Sequence, residues 1–253
     1  MAAEIAGPLK GLIDLHCHIV PGIDDGAGDL REALGMARMA AGMGTGTLVT
    51  TPHINPGAFN NTPESIAQAA EAFRIKLEEA GIKLDFGHAA EVRLGPWVNT
   101  MISQGNLPCY NQTGERRYFL LEFSNQGIDP ADAFLVDNIL RQGYHPIIAH
   151  PERNRSVRRD LNALAPFMKM GCLSQVTAGS LSGGFGSSVA RTADALLERG
   201  WVHLLASDGH GFNQRQPVLS DGVRAAAQVV GFERAKKMAL DTPRAILNGE
   251  PVS

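Results

Sequence analysis

Residues 11–53 read GLIDLHCHIVPGIDDGAGDLREALGMARMAAGMGTGTLVTTPH and contain the clearest pattern of alternating strand and helix in the chain. Two short apolar segments, 11–18 and 46–53, each have the length and apolar content of a buried strand. Between them Asp29 is a candidate N-cap. It precedes apolar residues at helical spacing, which are Leu30, Leu34, Ala37 and Ala41. Strand, helix and strand in direct succession predict a parallel βαβ unit.

The same alternation continues to the end of the chain. Five more strand candidates lie at 82–92, 116–124, 144–151, 172–179 and 201–210. Further helices are predicted at 62–81, 130–142, 159–170, 187–199, 218–230 and 232–248, whereas 95–114 has no clear pattern. Seven strands without a break in composition predict an α/β fold, with residues 1–253 forming a single closed, barrel-like domain. An open doubly wound sheet is the alternative.

Composition narrows the class of protein. The net charge of −3 and the pI of about 6.2 argue against nucleic acid as a partner. Apolar runs fall short of the ~18 residues that span a bilayer, so no membrane insertion is expected. The start, MAAEIAGPLKG, lacks the pattern of a signal peptide. Cys17, Cys109 and Cys172 are odd in number and widely spaced, which fits the reducing cytoplasm.

Polar side chains collect where the predicted strands end. They are His16, His18, Asp25, His53, Glu91, Glu122, His150, Asp208 and His210. Any one of these alone is more often a capped polar residue than a ligand. However, the carboxyl ends of the strands of a parallel barrel face one rim, so all nine are expected to converge there. His88, His145 and His203 lie off this pattern and are interpreted as structural or surface residues.

The most specific signal is the pair His16 and His18. Residues two apart in a strand point to the same face, so both imidazoles are predicted to share a face with Asp14. Cys17 would then point the opposite way, into the packing layer. The same reasoning pairs Asp208 with His210 if that strand end remains extended.

Imidazole and carboxylate ligands without thiolate favour Mn²⁺, Fe²⁺ or Zn²⁺ over Ca²⁺. Nine ligands are too many for one ion, whereas two or three ions that share a bridging carboxylate would use them all. Such a cluster binds a phosphoryl group and lowers the pKa of bound water from about 15.7 toward about 7. The cluster therefore predicts a hydrolase, specifically a phosphoesterase.

A thiol mechanism does not fit the sequence. Cysteine-dependent tyrosine phosphatases place an arginine six positions after the nucleophile, where it cradles the phosphate. The corresponding positions after the three cysteines hold Ile23, Glu115 and Ala178. None of the three cysteines is therefore predicted to be a nucleophile.

The motifs HCHIVPGIDDGAGD, LEFS, IAHPERN, TAGSL…FG and ASDGH together resemble the PHP (polymerase and histidinol phosphatase) superfamily. They are most similar to its bacterial branch of metal-dependent protein-tyrosine phosphatases, encoded with capsular and exopolysaccharide genes. The resemblance runs from Ile13 to Asn248. It implies a distorted (β/α)₇, TIM-like barrel, which agrees with the seven predicted strands.

The resemblance also implies a trinuclear centre, typically of manganese, with Fe, Zn or Mg as other occupants. Carried over by motif, the first ion would be held by His16, His18, Glu91 and Asp208; the second by Glu91, Glu122 and His150; and the third by Asp25, His53 and His210. Asp25 fits the family spacing better than Asp24, although the two are neighbours.

The same resemblance implies that Arg153 and Arg215 would bind the substrate phosphate. A metal-activated hydroxide would attack phosphorus, and either His53 or His210 could assist. The nearby run of Arg155, Arg158 and Arg159 is interpreted as a solvated face that could attract an acidic tyrosine-bearing tail. The glycine-rich segment SLSGGFGSS is interpreted as a flexible rim loop.

The expected function is manganese-dependent hydrolysis of O-phosphotyrosine. The implied substrate is the tail of a bacterial tyrosine autokinase that controls capsule and exopolysaccharide synthesis. A small-molecule phosphatase acting on histidinol phosphate or a nucleotide is the nearest enzyme alternative. A non-catalytic regulator that binds a phosphopeptide or kinase is the other. The resemblance allows a homo-oligomer without fixing the oligomeric state.

Overall fold

The computed structural model describes residues 9–252. The predicted lack of a signal peptide in MAAEIAGPLKG concerns a segment that lies mostly outside the described residues, and so do the two ends of the predicted domain. The strands are β1 (Leu12–Cys17), β2 (Thr45–Thr50), β3 (His53–Asn55), β4 (Phe59–Asn60), β5 (Asp85–His88), β6 (Glu91–Arg93), β7 (Arg117–Glu122), β8 (Tyr144–Ala149), β9 (Leu173–Thr177) and β10 (Leu204–Ala206).

The α-helices are α1 (Leu30–Gly42), α2 (Pro63–Glu79), α3 (Trp97–Gln104), α4 (Pro130–Arg141), α5 (Arg155–Arg159), α6 (Ala165–Lys169), α7 (Ala178–Leu181), α8 (Ser187–Glu198), α9 (Ser220–Val230), α10 (Phe232–Lys237) and α11 (Asp241–Asn248). Short 3-10 helices cover Pro151–Arg153 and Leu161–Leu164. As predicted, Asp29 caps α1 by accepting from the Glu32 N–H at 2.8 Å. None of the described helices is long and apolar enough to cross a membrane.

The strands form two sheets, in the orders β1-β2-β5 and β10-β9-β8-β7-β6-β3-β4. Every pairing is parallel except β3 with β4. All seven predicted strands are present, which confirms the α/β class with a parallel sheet. In place of the predicted closed barrel, the strands form two sheets. The second and third predicted strands are each interrupted, so that one half of each pairs in one sheet and the other half in the other.

The first interruption separates β2 from β3 at Thr51-Pro52, and the second separates β5 from β6 at Ala89-Ala90. Proline has no N–H to donate to a neighbouring strand, so Pro52 ends the β2 pairing. The Glu91 N–H reaches the carbonyls of Thr51 and Pro52 at 3.2 Å. After these interruptions, β3 begins at His53 and β6 begins at Glu91, which are two of the predicted ligands.

Backbone hydrogen bonds also join the two sheets beside the predicted site. The Asp208 N–H donates to the His16 carbonyl at 2.7 Å, and the His18 N–H donates to the Gly209 carbonyl at 2.8 Å. Cys17 and Gly209 form a parallel bridge there. The end of β1 therefore lies beside the segment that follows β10, which brings the first and last strands together.

The apolar core has separate layers on the two faces of the strands. Along β7, Tyr118 and Leu120 belong to a cluster built almost wholly from strand residues. The alternate residues Phe119 and Leu121 belong to a cluster that includes helix residues such as Val136. One layer is thus enclosed by strands and the other lies between strands and helices. Continued alternation puts Glu122 on the enclosed face.

Several boundaries differ from the prediction. Residues 95–114 contain α3, and β4 forms a small antiparallel hairpin with β3. The predicted helix at 159–170 is divided between α5, a 3-10 turn and α6, and the one at 232–248 is divided into α10 and α11. Proline lies in the first turn of both α6 and α11, where it cannot continue the preceding helix. Helical periodicity alone does not show such a restart.

His203 has a structural role, as predicted. Its Nδ1 accepts the Ser174 N–H at 3.1 Å, which requires an unprotonated nitrogen. Burial, followed by the charge of Arg234, lowers the pKa of His203 to about 4. This pKa is below the unfolded value of about 6.5, so the stabilisation is present above pH 6.5 and is lost as the pH falls toward 4.

We expect the free energy of unfolding to drop by about 2 kcal/mol between pH 7 and pH 5 through His203 alone. The measurement is urea unfolding of the native protein and of His203→Asn, whose side-chain oxygen can accept the same N–H. Contributions from other titrating groups cancel in the difference. Identical pH dependence in the two proteins would contradict the assignment.

Candidate metal centre

The nine predicted ligands lie together at the carboxyl ends of the strands. They form four groups whose ligand atoms lie within 4.8 Å of one another: His18, Asp25, His53 and His210; His16, His18 and Glu91; His16, His150 and Asp208; and His53, Glu91 and Glu122. All nine belong to at least one group. The structure therefore shows the predicted convergence, whereas the role of each residue remains a prediction.

Glu91 lies at the centre of the cluster. Its Oε2 is 3.3 Å from His16 Nε2 and 3.2 Å from His18 Nε2. The same oxygen is 3.2 Å from His53 Nδ1, and its Oε1 is 2.7 Å from His150 Nε2. One carboxylate therefore contacts four imidazoles on three chain segments, which is the geometry expected of a bridging ligand.

The two adjacent aspartates have different positions. Asp25 Oδ1 is 3.4 Å from His53 Nε2 and 3.3 Å from His210 Nε2. Asp24 instead accepts from His18 Nδ1 at 2.7 Å and from the Gly26 N–H at 3.0 Å. Asp24 thus orients His18 from behind, while Asp25 faces the other ligands. This arrangement supports the predicted choice of Asp25.

The prediction that Asp14 shares a face with the two imidazoles is wrong. The β1–β2 register shifts between Asp14 and Cys17, where three steps of β1 oppose two of β2. An extra residue of this kind reverses the alternation of faces. Asp14 Oδ1 accepts the N–H groups of His16 at 3.3 Å and Ser207 at 3.0 Å, so it ties β1 to the end of β10.

Gln175 takes the orienting role that the sequence did not reveal. Its Oε1 lies 2.8 Å from His16 Nδ1, which leaves His16 Nε2 for the cluster. A partner of this kind selects the ring tautomer of a metal-ligating histidine. The alternation of β9 could have identified Gln175, because a buried glutamine at a strand end requires a polar partner.

Backbone strain is concentrated at the site. Among the described non-glycine residues, positive φ angles occur only at His150 (33°), Asp208 (51°) and Arg215 (54°). Each such conformation costs on the order of 1–3 kcal/mol and persists only where its surroundings enforce it. All three are predicted site residues. The surrounding structure therefore holds their backbone in an unfavourable conformation at the site.

The carboxylates differ strongly in their affinity for protons. Burial raises the pKa of Glu91, but the neighbouring histidines outweigh burial and hold it well below its usual range. Burial also raises the pKa of Asp208, but the charges of Arg153, His16 and Arg215 outweigh burial and hold this pKa well below its usual range. In contrast, burial and the charge of Glu91 raise the pKa of Glu122 to about 7.

The donor set fits a cluster of transition-metal ions. Glu122 Oε2, His53 Nδ1 and His210 Nε2 are buried without a hydrogen-bond partner. Unpartnered buried polar atoms are costly, and a shared cation would satisfy them. The ligand atoms are imidazole nitrogens and carboxylate oxygens, which suit Mn²⁺, Fe²⁺ or Zn²⁺.

Two arginines are held against the cluster by one aspartate. Arg215 Nη2 donates to Asp208 Oδ1 at 2.7 Å, and Arg153 donates to Asp208 Oδ2. The Nε atoms of both arginines are buried and have no hydrogen-bond partner. Phe185 stacks on Arg153, with its ring centroid 4.9 Å from the guanidinium carbon. The glycine-rich segment that carries Phe185 therefore supports Arg153.

The cluster opens into a cavity of about 380 Å³. Its lining includes Asp25, His53, Glu91, Glu122, Asn125, Gln126, His150, Arg153, Arg155, Arg158 and Arg215. Carboxylates and imidazoles thus form the cluster side of the cavity, and four arginines supply positive charge around it. Such a lining suits an anionic ligand that also contacts metal ions.

Cys17 lies outside the cluster, as predicted. It packs with Ala33, Met36 and Leu48 beneath α1, and its thiol donates to the Gly209 carbonyl at 3.5 Å. Burial raises the pKa of Cys17 well above its usual range, so the reactive thiolate is disfavoured.

Three supporting residues were not predicted. Phe59 of β4 stacks on His53 at a centroid distance of 5.0 Å. Arg93 Nε lies 3.3 Å from Glu122 Oε2. Glu152 is fully buried and accepts from the Thr177 N–H at 3.0 Å and the Ser180 hydroxyl at 2.7 Å. The turn signal Asn55-Pro-Gly, in front of Phe59, could have revealed the hairpin.

The loop carrying His210 and Arg215 is anchored on α1 through Phe212. A Cβ added at Gly35 would lie 1.9 Å from Phe212 Cζ, so the ring needs the space that glycine leaves. Within the loop, the His210 N–H donates to the Arg215 carbonyl at 2.7 Å. The position of Phe212 therefore helps to set the positions of a predicted ligand and a predicted phosphate-binding arginine.

We expect Gly35→Ala to lower kcat/KM on a phosphotyrosine substrate by about tenfold, because small displacements of positioning groups are costly. Gly42→Ala on the same helix is the matched control, since a Cβ there meets no heavy atom within 4 Å. Circular dichroism would verify that both variants fold. Equal activity of the two variants would show that Phe212 does not position the loop.

Comparison with known proteins assigns the chain to a family. A family model described as capsular polysaccharide synthesis, CpsB/CapC, matches residues 12–248. The chain belongs to this family. Two similar proteins come from bacteria. Tyrosine-protein phosphatase YwqE from Bacillus subtilis is 36% identical over 204 residues, covering 81% of this chain and 79% of YwqE. Tyrosine-protein phosphatase CpsB from Streptococcus pneumoniae is 29% identical over 241 residues, covering 93% and 98%.

Solved structures agree with the CpsB/CapC assignment. The crystal structures of YwqE from Bacillus subtilis and CpsB from Streptococcus pneumoniae, described as unique metal-dependent tyrosine phosphatases, provide a match with a TM-score of 0.88. It has 31% identity and covers 95% of this chain and 96% of the other. A mutant organophosphorus hydrolase from Deinococcus radiodurans matches with a TM-score of 0.56 at 14% identity, which shows likeness of fold alone. The predicted capsular branch is therefore confirmed.

Proposed function

We propose that this protein is a manganese-dependent protein-tyrosine phosphatase. Its physiological substrate would be phosphotyrosine on the tail of a bacterial tyrosine autokinase that regulates capsule and exopolysaccharide synthesis. The observation that carries the proposal is a cluster of nine metal-type ligands that opens into a cavity lined by the partly buried Arg153 and Arg215. Relatives named tyrosine-protein phosphatases support the choice of phosphotyrosine.

Manganese is proposed from the family resemblance and the donor set. One ion would be held by His16, His18, Glu91 and Asp208; a second by Glu91, Glu122 and His150; and a third by Asp25, His53 and His210. When bound, the ions would supply Lewis acidity and lower the pKa of water at the site. The central position of Glu91 among four imidazoles supports its role as the bridging ligand.

The two arginines would bind the phosphate. Asp208 holds Nη2 of each guanidinium, which leaves other guanidinium N–H groups for phosphate oxygens. A guanidinium presents a planar fork that matches phosphate geometry, and its hydrogen bonds to an anion are charge-assisted. Because Asp208 and Phe185 fix Arg153 in advance, little of its side-chain freedom remains to be lost on binding.

Phosphotyrosine requires little acid catalysis from the chain. The leaving phenol has a pKa of about 10, so its oxygen departs as a phenolate more readily than an alkoxide would. His53 and His210 both contact Asp25 at the cavity and are the side chains positioned to move a proton there. His53 also lines the cavity, and either histidine is proposed as the assisting group.

The decisive experiment compares substrates. Purified protein would be assayed with added Mn²⁺ on a phosphotyrosine peptide, the matched phosphoserine peptide and histidinol phosphate. We expect kcat/KM to be highest on the phosphotyrosine peptide. Faster turnover of histidinol phosphate would instead indicate a small-molecule phosphatase. Phosphopeptide binding without turnover, together with no bound metal and no rescue by Mn²⁺, would indicate a non-catalytic regulator.

We expect Cys17→Ser to retain substantial activity, within about threefold of the native protein, because the thiol is buried away from the cavity. The measurement is kcat/KM on the phosphotyrosine peptide together with metal content. A loss of activity comparable to that of His16→Ala, in a folded and metal-loaded Cys17→Ser protein, would overturn the metal-only mechanism.

A further inference from the structure

We propose a second anion-binding subsite, formed by Arg155, Arg158 and Arg159, that selects phosphotyrosine peptides carrying a further negative group beside the phosphotyrosine. The inference rests on the proposed phosphatase activity and specifies its substrate class. The negative group is a carboxylate or a second phosphate, since both suit a guanidinium.

The location of the three arginines supports this subsite. They line, with Ser188, an open cleft of about 480 Å³. Arg155 and Arg158 also line the cavity above the metal cluster, so the two spaces share a wall. A peptide whose phosphotyrosine enters the cavity therefore passes this cleft with an adjacent part of its chain.

The positive charge of the cleft is not neutralised by the protein. Arg155 Nη1 donates to the neutral Gln126 side chain at 2.9 Å, and Arg158 Nη2 donates to the Ser188 hydroxyl at 3.1 Å. Within residues 9–252, no ion pair joins any of these three arginines to a carboxylate. The adjacent carboxylate of Asp160 accepts the Asn162 N–H at 2.9 Å.

The backbone beneath the arginines is firmly held. Asn154 caps the turn by accepting the Ser156 N–H at 2.9 Å, and its side-chain amide donates to the Ser124 carbonyl at 2.9 Å. Val157 is fully buried, whereas the three arginines are exposed. The cleft thus presents its charges from a fixed segment of chain, which distinguishes it from a mobile basic tail.

The energetic expectation is a modest but measurable selectivity. A single exposed ion pair contributes little, so several arginines facing one anion would together raise kcat/KM about tenfold. The effect should weaken with added salt, because these charges face solvent. Free phosphotyrosine does not reach the cleft and should show no comparable effect.

The experiment uses the Mn²⁺-loaded protein and three series of phosphotyrosine peptides. At each position tested, the three peptides differ only in one residue near the phosphotyrosine. That residue is glutamate, its neutral analogue glutamine, or its phosphonate analogue 2-amino-4-phosphonobutyrate, and it is placed in turn at each of the four positions on either side. We expect kcat/KM at the best position to be about tenfold higher with either anion than with glutamine. The ratio between the two anionic peptides distinguishes a carboxylate from a phosphate.

Arg159→Glu provides the matching variant, because Arg159 lines the cleft but not the metal cavity. We expect it to abolish the preference for anionic peptides while turnover of free phosphotyrosine stays within about twofold. Arg159→Gln should give an intermediate preference. Arg38→Glu is the control, since it changes the charge equally at an exposed position of α1 that lines neither space.

Equal kcat/KM on anionic and neutral peptides at all positions would overturn the subsite while leaving the phosphatase intact. A preference that persists in Arg159→Glu, or that Arg38→Glu abolishes equally, would also overturn it. In contrast, absence of turnover on free phosphotyrosine by the native, metal-loaded protein would indicate failure of the proposed function itself.

Discussion

Replacing Glu91 with glutamine is expected to lower kcat on a phosphotyrosine peptide by about 10³-fold. Glu91 contacts four imidazoles and is the proposed bridge between two ions. The glutamine has nearly the same shape but only one neutral oxygen acceptor, so it cannot bridge two cations as a carboxylate does. Metal-ion charge stabilisation is worth several kcal/mol in the transition state, which corresponds to a loss of this size.

The readouts are kcat with saturating Mn²⁺ and the metal content of the protein by mass spectrometry. We expect Glu91→Gln to bind fewer ions per chain than the native protein. The matched control is Glu71→Gln on the exposed face of α2, which makes the same chemical change at an ion pair in solvent. More than a tenth of native activity with full metal content would exclude Glu91 as the bridge.

Arg153→Lys is expected to lower kcat/KM by about 10²-fold with the metal content unchanged. Lysine keeps the positive charge beside Asp208 but loses the fork that would hold two phosphate oxygens. Charge-assisted hydrogen bonds contribute about 1.5–3 kcal/mol each, or roughly a factor of 10 to 100 in rate. Lysine also loses the planar stacking of guanidinium on Phe185.

Inhibition by inorganic phosphate separates this role from a structural one. If Arg153 binds the phosphate, Arg153→Lys should raise the inhibition constant of inorganic phosphate as well as lower kcat/KM. Arg38→Lys on α1 serves as the matched control for the substitution. If kcat/KM falls while the phosphate inhibition constant and the metal content stay at native values, Arg153 acts through something other than the phosphate.

The donor set of the site could be predicted from sequence because parallel strands all end at one rim. His150 and Asp208 each lie near the carboxyl end of a predicted strand, so parallel strands are sufficient to bring them to one rim. The orienting residues could not be found in this way. The alternation of β9 indicates that Gln175 needs a polar partner, but the imidazole nitrogens that Gln175 and Asp24 contact depend on side-chain directions across the fold.

The same distinction applies to the backbone. The alternation of apolar strands and amphipathic helices predicts the α/β class, and caps such as Asp29 predict helix starts. Helical periodicity does not predict the division of 232–248 into α10 and α11, although Pro243 in the first turn of α11 is a local signal of the restart. The interruption at Pro52 had a local signal in proline itself.

The sequence by itself thus determined the strand–helix alternation, the nine convergent donors, and the absence of an arginine that could make a cysteine nucleophilic. Only the tertiary contacts show that Asp24 orients His18, that Asp14 ties two strands together, and that Asp208 holds both arginines. For Asp14 the cause is one extra residue in β1, which reverses the face that its side chains occupy. Such a shift follows from pairing with a distant strand, so no window of local sequence contains it.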